Sequence, residues 1–378
     1  MIYLDNNATT RCDPRVVNSM IPYLSTSYGN PSSGHFHGTE AREAVKKARD
    51  QVAKLVGAEP DEIVFTSGAT ESNNTTIFGV SRGINKNTKN GIITTQVEHK
   101  SVLEPCRFLI QEGFDVHFLP VNDSGKVCIT DDQLSSKCFL LSVQLANNET
   151  GVIQPVKDLV CFARRAGAFV HCDAAQAAGK IRTDVKDLDV DFLSFSAHKM
   201  YGPKGIGALY MRGGPNNNPI VPLLFGGGQE GGFRSGTLNV PGIIGFGKAA
   251  EIAMMEMGEE SGKIRSLRDH FEERMACEIG EIIINGVGER RLPGTTSIVF
   301  PGIEADLVLS NTQDLAISAG SACASEGHSP SHVLKAMGLS DEDAFCTLRF
   351  SIGRFNNEQE IDKTIDILSR ICRSIRHR

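Results

Sequence analysis

Ile63-Val64-Phe65-Thr66-Ser67-Gly68-Ala69-Thr70-Glu71-Ser72 reads as a strand, a turn of small residues and the start of a helix that runs through Phe78. Free amides and the positive end of the helix dipole then face one spot, which suits a phosphate. Many junctions of this kind bind nothing, so the reading depends on what the rest of the chain supplies. Upstream, Ala41, Ala44, Ala48, Val52 and Leu55 recur at three- and four-residue steps, giving an amphipathic helix over Glu40 to Val56 that stops at Gly57. Downstream, strand-like and helix-like stretches alternate. Ile92 to Thr94 is a strand and Val102 to Ile110 a helix; Val116 to Leu119 and Phe139 to Val143 are strands. A helix over Val156 to Arg165 leads to the strand Ala168 to His171, and Phe192 to Phe195 and Ala208 to Tyr210 follow. This alternation predicts an α/β fold with a mostly parallel sheet covered by helices on both faces, and ligands bound at the carboxyl ends of its strands.

From about residue 256 the pattern changes. Charged helices over Glu259 to Glu278 and Asn357 to Ile375 flank the short strands Ser297 to Phe300 and Thr347 to Phe350. The last helix carries Ile361, Ile365, Leu368, Cys372 and Ile375 on one face. The expected division is a large domain over 14–255 and a smaller α+β domain built from 1–13 and 256–378.

Bulk properties narrow the function. At roughly 150 residues per domain, 378 residues make two or three domains. With 40% hydrophobic and 22% charged residues and a net charge of −6, nothing points to a nucleic-acid or membrane surface. Met1-Ile2-Tyr3-Leu4-Asp5 has neither a basic nor an apolar leader region, and no apolar run approaches the ~18 residues of a membrane span, so a cytoplasmic location is expected. The ten cysteines are dispersed with no CxxC spacing, which speaks against a zinc knuckle or a dithiol redox site. His35-Phe36-His37 stands without a Cys or carboxylate cluster and reads as a polar loop; no metal is expected.

Two further stretches carry chemistry. In His171-Cys172-Asp173-Ala174-Ala175-Gln176, an acid closes an apolar strand, where it is costly unless paired. In Ser194-Phe195-Ser196-Ala197-His198-Lys199-Met200-Tyr201-Gly202-Pro203-Lys204-Gly205, a strand ends in hydroxyl residues, then His-Lys, then a Gly/Pro loop. A lysine there can form a Schiff base with an aldehyde cofactor; Lys204 fits a solvated loop lysine better. A phosphate cradle, a strand-end acid and a strand-end lysine in this order suggest a pyridoxal-phosphate (PLP) site on a parallel sheet, the acid keeping the pyridine nitrogen protonated.

The sequence resembles the NifS/IscS-like cysteine desulfurases, of the aspartate-aminotransferase-like class of PLP enzymes, over nearly its whole length. The landmarks are Tyr3 to Thr10, Gly29 to Ser33, Thr66 to Ser72, Glu98-His99, Asn147 to Gly151, Asp173 to Gln176, Ser194 to Gly205, Arg234 to Thr237 and Gly320-Ser321-Ala322-Cys323. The resemblance implies the PLP-dependent transferase fold, with Lys199 as the Schiff-base lysine, Asp173 on the pyridine nitrogen and Gln176 on the ring hydroxyl. Ala69, Thr70, Ser196 and His198 would hold the phosphate, with Thr237 arriving from the second subunit of a homodimer. His99 would stack over the ring and help move protons, and Asn148 would contact ring or substrate. Arg349 is the candidate for the substrate carboxylate through a bidentate pair, assisted by Asn30, with Arg354 as the alternative.

Cys323 separates a desulfurase from a generic PLP enzyme. No side chain from Ser318 to Cys323 is bulky, and Gly320 and Gly327 flank the thiol, so a mobile loop is expected rather than a core strand. The spacing from Cys323 to Ser351 resembles the group with the long catalytic-cysteine loop. The implied activity turns L-cysteine into L-alanine and leaves a persulfide on Cys323 for a protein sulfur acceptor. A selenocysteine lyase or a PLP-dependent aminotransferase is the alternative. Relatives that serve the iron–sulfur scaffold usually run past the last helix; this sequence stops at Arg378. Iron–sulfur assembly, tRNA thiolation and DNA phosphorothioation therefore stay open.

Overall fold

A computed structural model describes residues 1–130, 137–320 and 329–376. Its strands are β1 (Ile2–Tyr3), β2 (Ile63–Thr66), β3 (Gly91–Thr95), β4 (Asp115–Leu119), β5 (Cys138–Gln144), β6 (Phe169–Asp173), β7 (Phe192–Ser196), β8 (Gly207–Met211), β9 (Ile283–Ile284), β10 (Thr295–Val299), β11 (Leu315–Ala316), β12 (Ser318–Ala319) and β13 (Thr347–Ser351). A seven-stranded sheet runs in the order β2-β8-β7-β6-β5-β3-β4. Its pairs are parallel except where β8 meets β2 and β7.

Successive side chains of a strand point to opposite faces, and here both faces are apolar. Ile63, Phe65, Ile93, Leu193, Phe195, Ala208 and Tyr210 join one core cluster, while Val64, Ile92, Phe192, Leu209 and Met211 join another. Ala41, Val45, Ala48 and Val52 of helix Phe36–Leu55 and Leu159, Val160 and Phe162 of helix Val156–Arg165 cover the first face. Ile77 and Val80 of helix Ala69–Gly83, with Val102, Cys106 and Leu109 of helix Lys100–Gln111, cover the second. Burying one such Phe or Leu side chain contributes about 1.5–3 kcal/mol. The α/β expectation of a mostly parallel, doubly covered sheet therefore holds.

A separate core collects Ile2, Leu4, Ile264, Phe271, Met275, Ile298, Phe300, Leu348, Phe350, Ile361, Ile365, Leu368 and Cys372. It packs a four-stranded sheet in the order β12-β13-β10-β9, and β1 pairs parallel with β11 beside it. One helix, Val240–Ile279, serves both cores: Ile243, Phe246 and Ala250 belong to the large-sheet cluster, and Ile264 to Ile279 to the other. The sequence shows only its charged second half. Asn239 caps its start, the Oδ1 accepting from the Gly242 amide at 3.1 Å.

Two local expectations are revised. The chain from Ser318 was expected to be loop, but Ser318 and Ala319 pair with Arg349 and Leu348 of β13, and the Gly320 amide donates to the Thr347 carbonyl at 2.9 Å. Gly320 sits in a tight place: a Cβ there would lie 3.0 Å from Leu334 Cδ1. His35, expected in a polar loop, caps helix Phe36–Leu55, its Nδ1 accepting from the Gly38 amide at 3.3 Å. No helix of the described residues is long and apolar enough to cross a membrane.

Candidate active site

A cleft of about 480 Å³ opens at the carboxyl ends of β6 and β7. It is lined by Ala69, Thr70, His99, Asn148, Asp173, Gln176, Ser196, His198 and Lys199, nine of the residues singled out in the sequence. One wall is the first turn of helix Ala69–Gly83, whose opening amides have no partner within the helix. The turn before it fits closely against β8: a Cβ on Gly207 would sit 2.7 Å from both Gly68 Cα and the Phe195 carbonyl oxygen. Glu71, which also lines the cleft, receives the Ser67 amide at 2.8 Å and pairs with Arg234 at 2.8 Å, which holds the turn.

Asp173 ends β6 and is 5% exposed. The cost of such a buried carboxylate is met by hydrogen bonds: Oδ2 accepts from Asn73 Nδ2 and Oδ1 from the Ala175 amide, at 2.8 and 2.9 Å. The second hydrogen of the Asn73 amide goes to Ser101 Oγ at 2.8 Å, and that oxygen lies 2.8 Å from His99 Nδ1. His99 caps helix Lys100–Gln111 and its Nδ1 also accepts from the Ser101 amide at 3.1 Å. With Nδ1 accepting, the ring's proton sits on Nε2. Burial holds His99 below its ordinary pKa, against the pull of Asp173, so the ring is neutral. An acid at one strand end and an imidazole at the next helix cap are thus joined by Asn73 and Ser101. Neither was singled out in the sequence, because Asn73 and Asp173 stand 100 residues apart.

Lys199 follows β7 directly. Its Nζ donates to the carbonyls of Asn7 and Ala8 at 2.5 and 2.7 Å. Burial, then Arg349, lowers its pKa to about 8, although Asp5 and Asp173 resist. The backbone is strained two residues on: Tyr201 takes φ 64°, and its amide is satisfied by Thr10 Oγ1 at 2.8 Å. His198 Nδ1 lies 3.2 Å from Thr9 Oγ1, and burial brings its pKa down to about 4.

The remaining sequence candidates are less central. Arg349 on β13 is buried beneath the cleft wall, its Nη2 on Asp5 Oδ1 at 2.8 Å and its Nη1 on the Asn148 carbonyl at 3.2 Å. Its Nε is buried without a partner. Arg354 is turned elsewhere: it pairs with Asp13 and Glu260, each at 2.8 Å, and stacks on Tyr201. Asn30 and Thr237 are exposed and do not line this cleft. Cys323 lies outside the described residues. Beyond it, the described residues include Ser331 and His332. Ser331 Oγ hydrogen-bonds to buried Glu149, and His332 Nε2 lies 2.9 Å from the Glu98 carbonyl. Glu98 Oε1 accepts from Thr95 Oγ1 and the Gln144 amide, but Oε2 has no partner, and burial pushes its pKa up to about 8.

These residues fit PLP. A buried carboxylate, a lysine amine made partly neutral by its surroundings, and the unpartnered amides of a helix start converge on one cleft of suitable size. Together they define the class of protein: an α/β fold that brings a strand-end carboxylate, a lysine amine and a helix start to one cleft. Comparison with known proteins specifies it. Residues 2–364 match the family model "Aminotransferase class-V", and the chain belongs to that family. It is 46% identical to "Cysteine desulfurase IscS" of Rickettsia akari over 370 residues, covering 97% of this chain and 90% of that protein. Among solved structures it is similar to a "NifS-like protein" (TM-score 0.92, 40% identity, 99% of each chain). It is also similar to "SspA in complex with cysteine" (TM-score 0.82, 38% identity, 94% of this chain and 100% of that one).

Proposed function

We propose that the chain is a PLP-dependent cysteine desulfurase that takes sulfur from L-cysteine onto Cys323. The observation that carries the reading is the convergence of Lys199 Nζ, the Asp173 carboxylate and the first-turn amides of helix Ala69–Gly83 on one cleft. Lys199 would hold the cofactor covalently, Asp173 and Gln176 would meet its ring nitrogen and hydroxyl, and Ala69, Thr70, Ser196 and His198 its phosphate, with Thr237 of a second subunit completing the homodimeric site. Bound PLP supplies an electron sink for charge developing at the substrate's α-carbon.

The chain's own groups do the rest. Lys199 Nζ would take and return the α-proton. His99, neutral and carrying its proton on Nε2, would assist proton movement at the ring. Arg349 binds the substrate carboxylate by exchanging its present partners, an assignment favoured over Arg354 because the latter is held by Asp13 and Glu260. The Cys323 thiolate attacks the substrate sulfur: the carbon–sulfur bond breaks, a sulfur–sulfur bond forms, and the β-carbon gains a proton to give L-alanine. A protein acceptor in the cytoplasm then receives the sulfur. We read 256–378 with 1–13 as the small domain carrying Cys323, supported by the shared core of Ile2, Leu4, Phe271 and Phe350.

The test is to incubate the PLP-loaded protein with L-cysteine and follow alanine and Cys323-bound sulfur by mass spectrometry. Equal amounts of both in a first turnover are expected, and Cys323→Ala should abolish the persulfide while retaining cofactor. Unchanged turnover in Cys323→Ala would instead identify an aminotransferase. Borohydride trapping should place the cofactor on Lys199.

A further inference from the structure

One half-buried cation has no part in that scheme. The Lys180 ammonium donates to Gln176 Oε1 at 2.8 Å and to Asn7 Oδ1 at 3.1 Å. Lys180 lines a small void shared with Asn7, Tyr201, Glu260 and Ser261, separate from the cleft that Gln176 lines. Both its hydrogen bonds go to neutral amide oxygens, so its burial is not offset by a contacting carboxylate, an expensive arrangement that a methionine of similar reach would avoid. Burial, with Lys199 and Arg349 nearby, brings its pKa down to about 7.

The arrangement has a directional effect. An amide can turn end for end, but only its oxygen can face an ammonium. With Oε1 held, Gln176 must present Nε2 on the other side, and it donates to the Asn7 carbonyl at 2.9 Å. With Oδ1 held, Asn7 must aim Nδ2 at the Asn148 carbonyl and Thr295 Oγ1, at 3.1 and 2.9 Å. The Asn7 carbonyl is also the acceptor for Lys199 Nζ. We propose that Lys180 is a positioning residue for the cofactor site: it fixes both amides, and through them the donor that Gln176 offers and the carbonyl against which Lys199 rests. The inference rests on the reading of Lys199 and Gln176 as cofactor residues given above.

The test compares the unmodified chain with Lys180→Met, Lys180→Gln and Lys180→Arg, each stripped of cofactor and titrated with PLP by absorbance. The pH midpoint of the Lys199-bound chromophore is then recorded for each. Lys180 carries its charge only in part near neutral pH, so Met and Gln should raise the midpoint by less than about one pH unit, while loss of the hydrogen bonds to Gln176 and Asn7 should weaken PLP binding about tenfold. Lys180→Arg, which keeps the charge, should stay nearer to the unmodified chain in both. Should the Met variant fail to fold, the Gln variant, which keeps a hydrogen-bond donor, carries the comparison. Met and Gln variants with unchanged midpoint and affinity, or an Arg variant no better than Gln, would overturn the proposal. Failure of the unmodified chain to take up PLP at Lys199 would instead overturn the functional reading, and this inference with it.

Discussion

Lys199 should react as a base long before an ordinary lysine does. Its pKa is lowered from 10.5 to about 8, by burial first and by Arg349 second. At about pH 7.5 an amine with that value is neutral in roughly a quarter of molecules, against about one in a thousand for an ordinary lysine. The cofactor-free protein should therefore hold a roughly 200-fold excess of reactive amine at this position. Reductive labelling with a small aldehyde from about pH 6 to about pH 11, read peptide by peptide in the mass spectrometer, measures it directly. The rate at Lys199 should reach half its plateau near pH 8. Arg349→Gln should move that midpoint upward, because it removes a cation and leaves Asp5 without its 2.8 Å partner. A midpoint near pH 10.5, or a downward shift in the variant, would refute the electrostatic account of this lysine.

Gly207→Ala should loosen the phosphate wall, since its Cβ would meet Gly68 Cα and the Phe195 carbonyl at 2.7 Å. A loss of about 1–3 kcal/mol in urea unfolding and faster cofactor release under dialysis are expected. Ser101→Ala should leave PLP bound but lower kcat about tenfold, because it removes the hydroxyl between Asn73 and His99; turnover and absorbance together check this. Glu98 binds a proton in the folded state up to about pH 8, whereas an ordinary glutamate loses it near 4.5. Its contribution to stability is thus present at low pH and is lost as pH rises towards 8. Glu98→Gln should flatten the fall in melting temperature between about pH 4.5 and about pH 8, measured calorimetrically.

The sheet was legible because its strands are short apolar runs closed by small or polar residues. Val156–Arg165 was placed to the residue, its apolar stripe bounded by Pro155 and Gly167. The first half of Val240–Ile279 was hidden because glycines interrupt its pattern. They are packing residues: a Cβ on Gly247 would lie 2.7 Å from Ala48 Cα, so only glycine lets the two helices approach. Ser318 and Ala319 misled for a related reason, since small residues suit a crowded sheet edge as well as a loop. At the site, Asp173, Lys199 and the helix start were readable because each marks a strand end. Asn73, Ser101, Asn7 and Lys180 were not, because their meaning lies in partners far away in sequence. The different surroundings of Arg349 and Arg354 likewise became visible only with the positions of Asp5, Asp13 and Glu260.

The two carbonyls beneath Lys199 belong to Asn7 and Ala8, in a segment tied down from the far end of the chain. The Ser351 amide donates to the Leu4 carbonyl, and Asn6 Nδ2 donates to the Ser351 carbonyl, 345 residues away. During synthesis the segment around Asn6 must therefore wait for Ser351, 345 residues later, before it can dock. The large sheet can assemble earlier around its own cores, but the resting place of the lysine cannot. A ribosome-bound chain cut short before β13 should thus hold a formed sheet whose Lys199 lacks its settled acceptors, the Asn7 and Ala8 carbonyls.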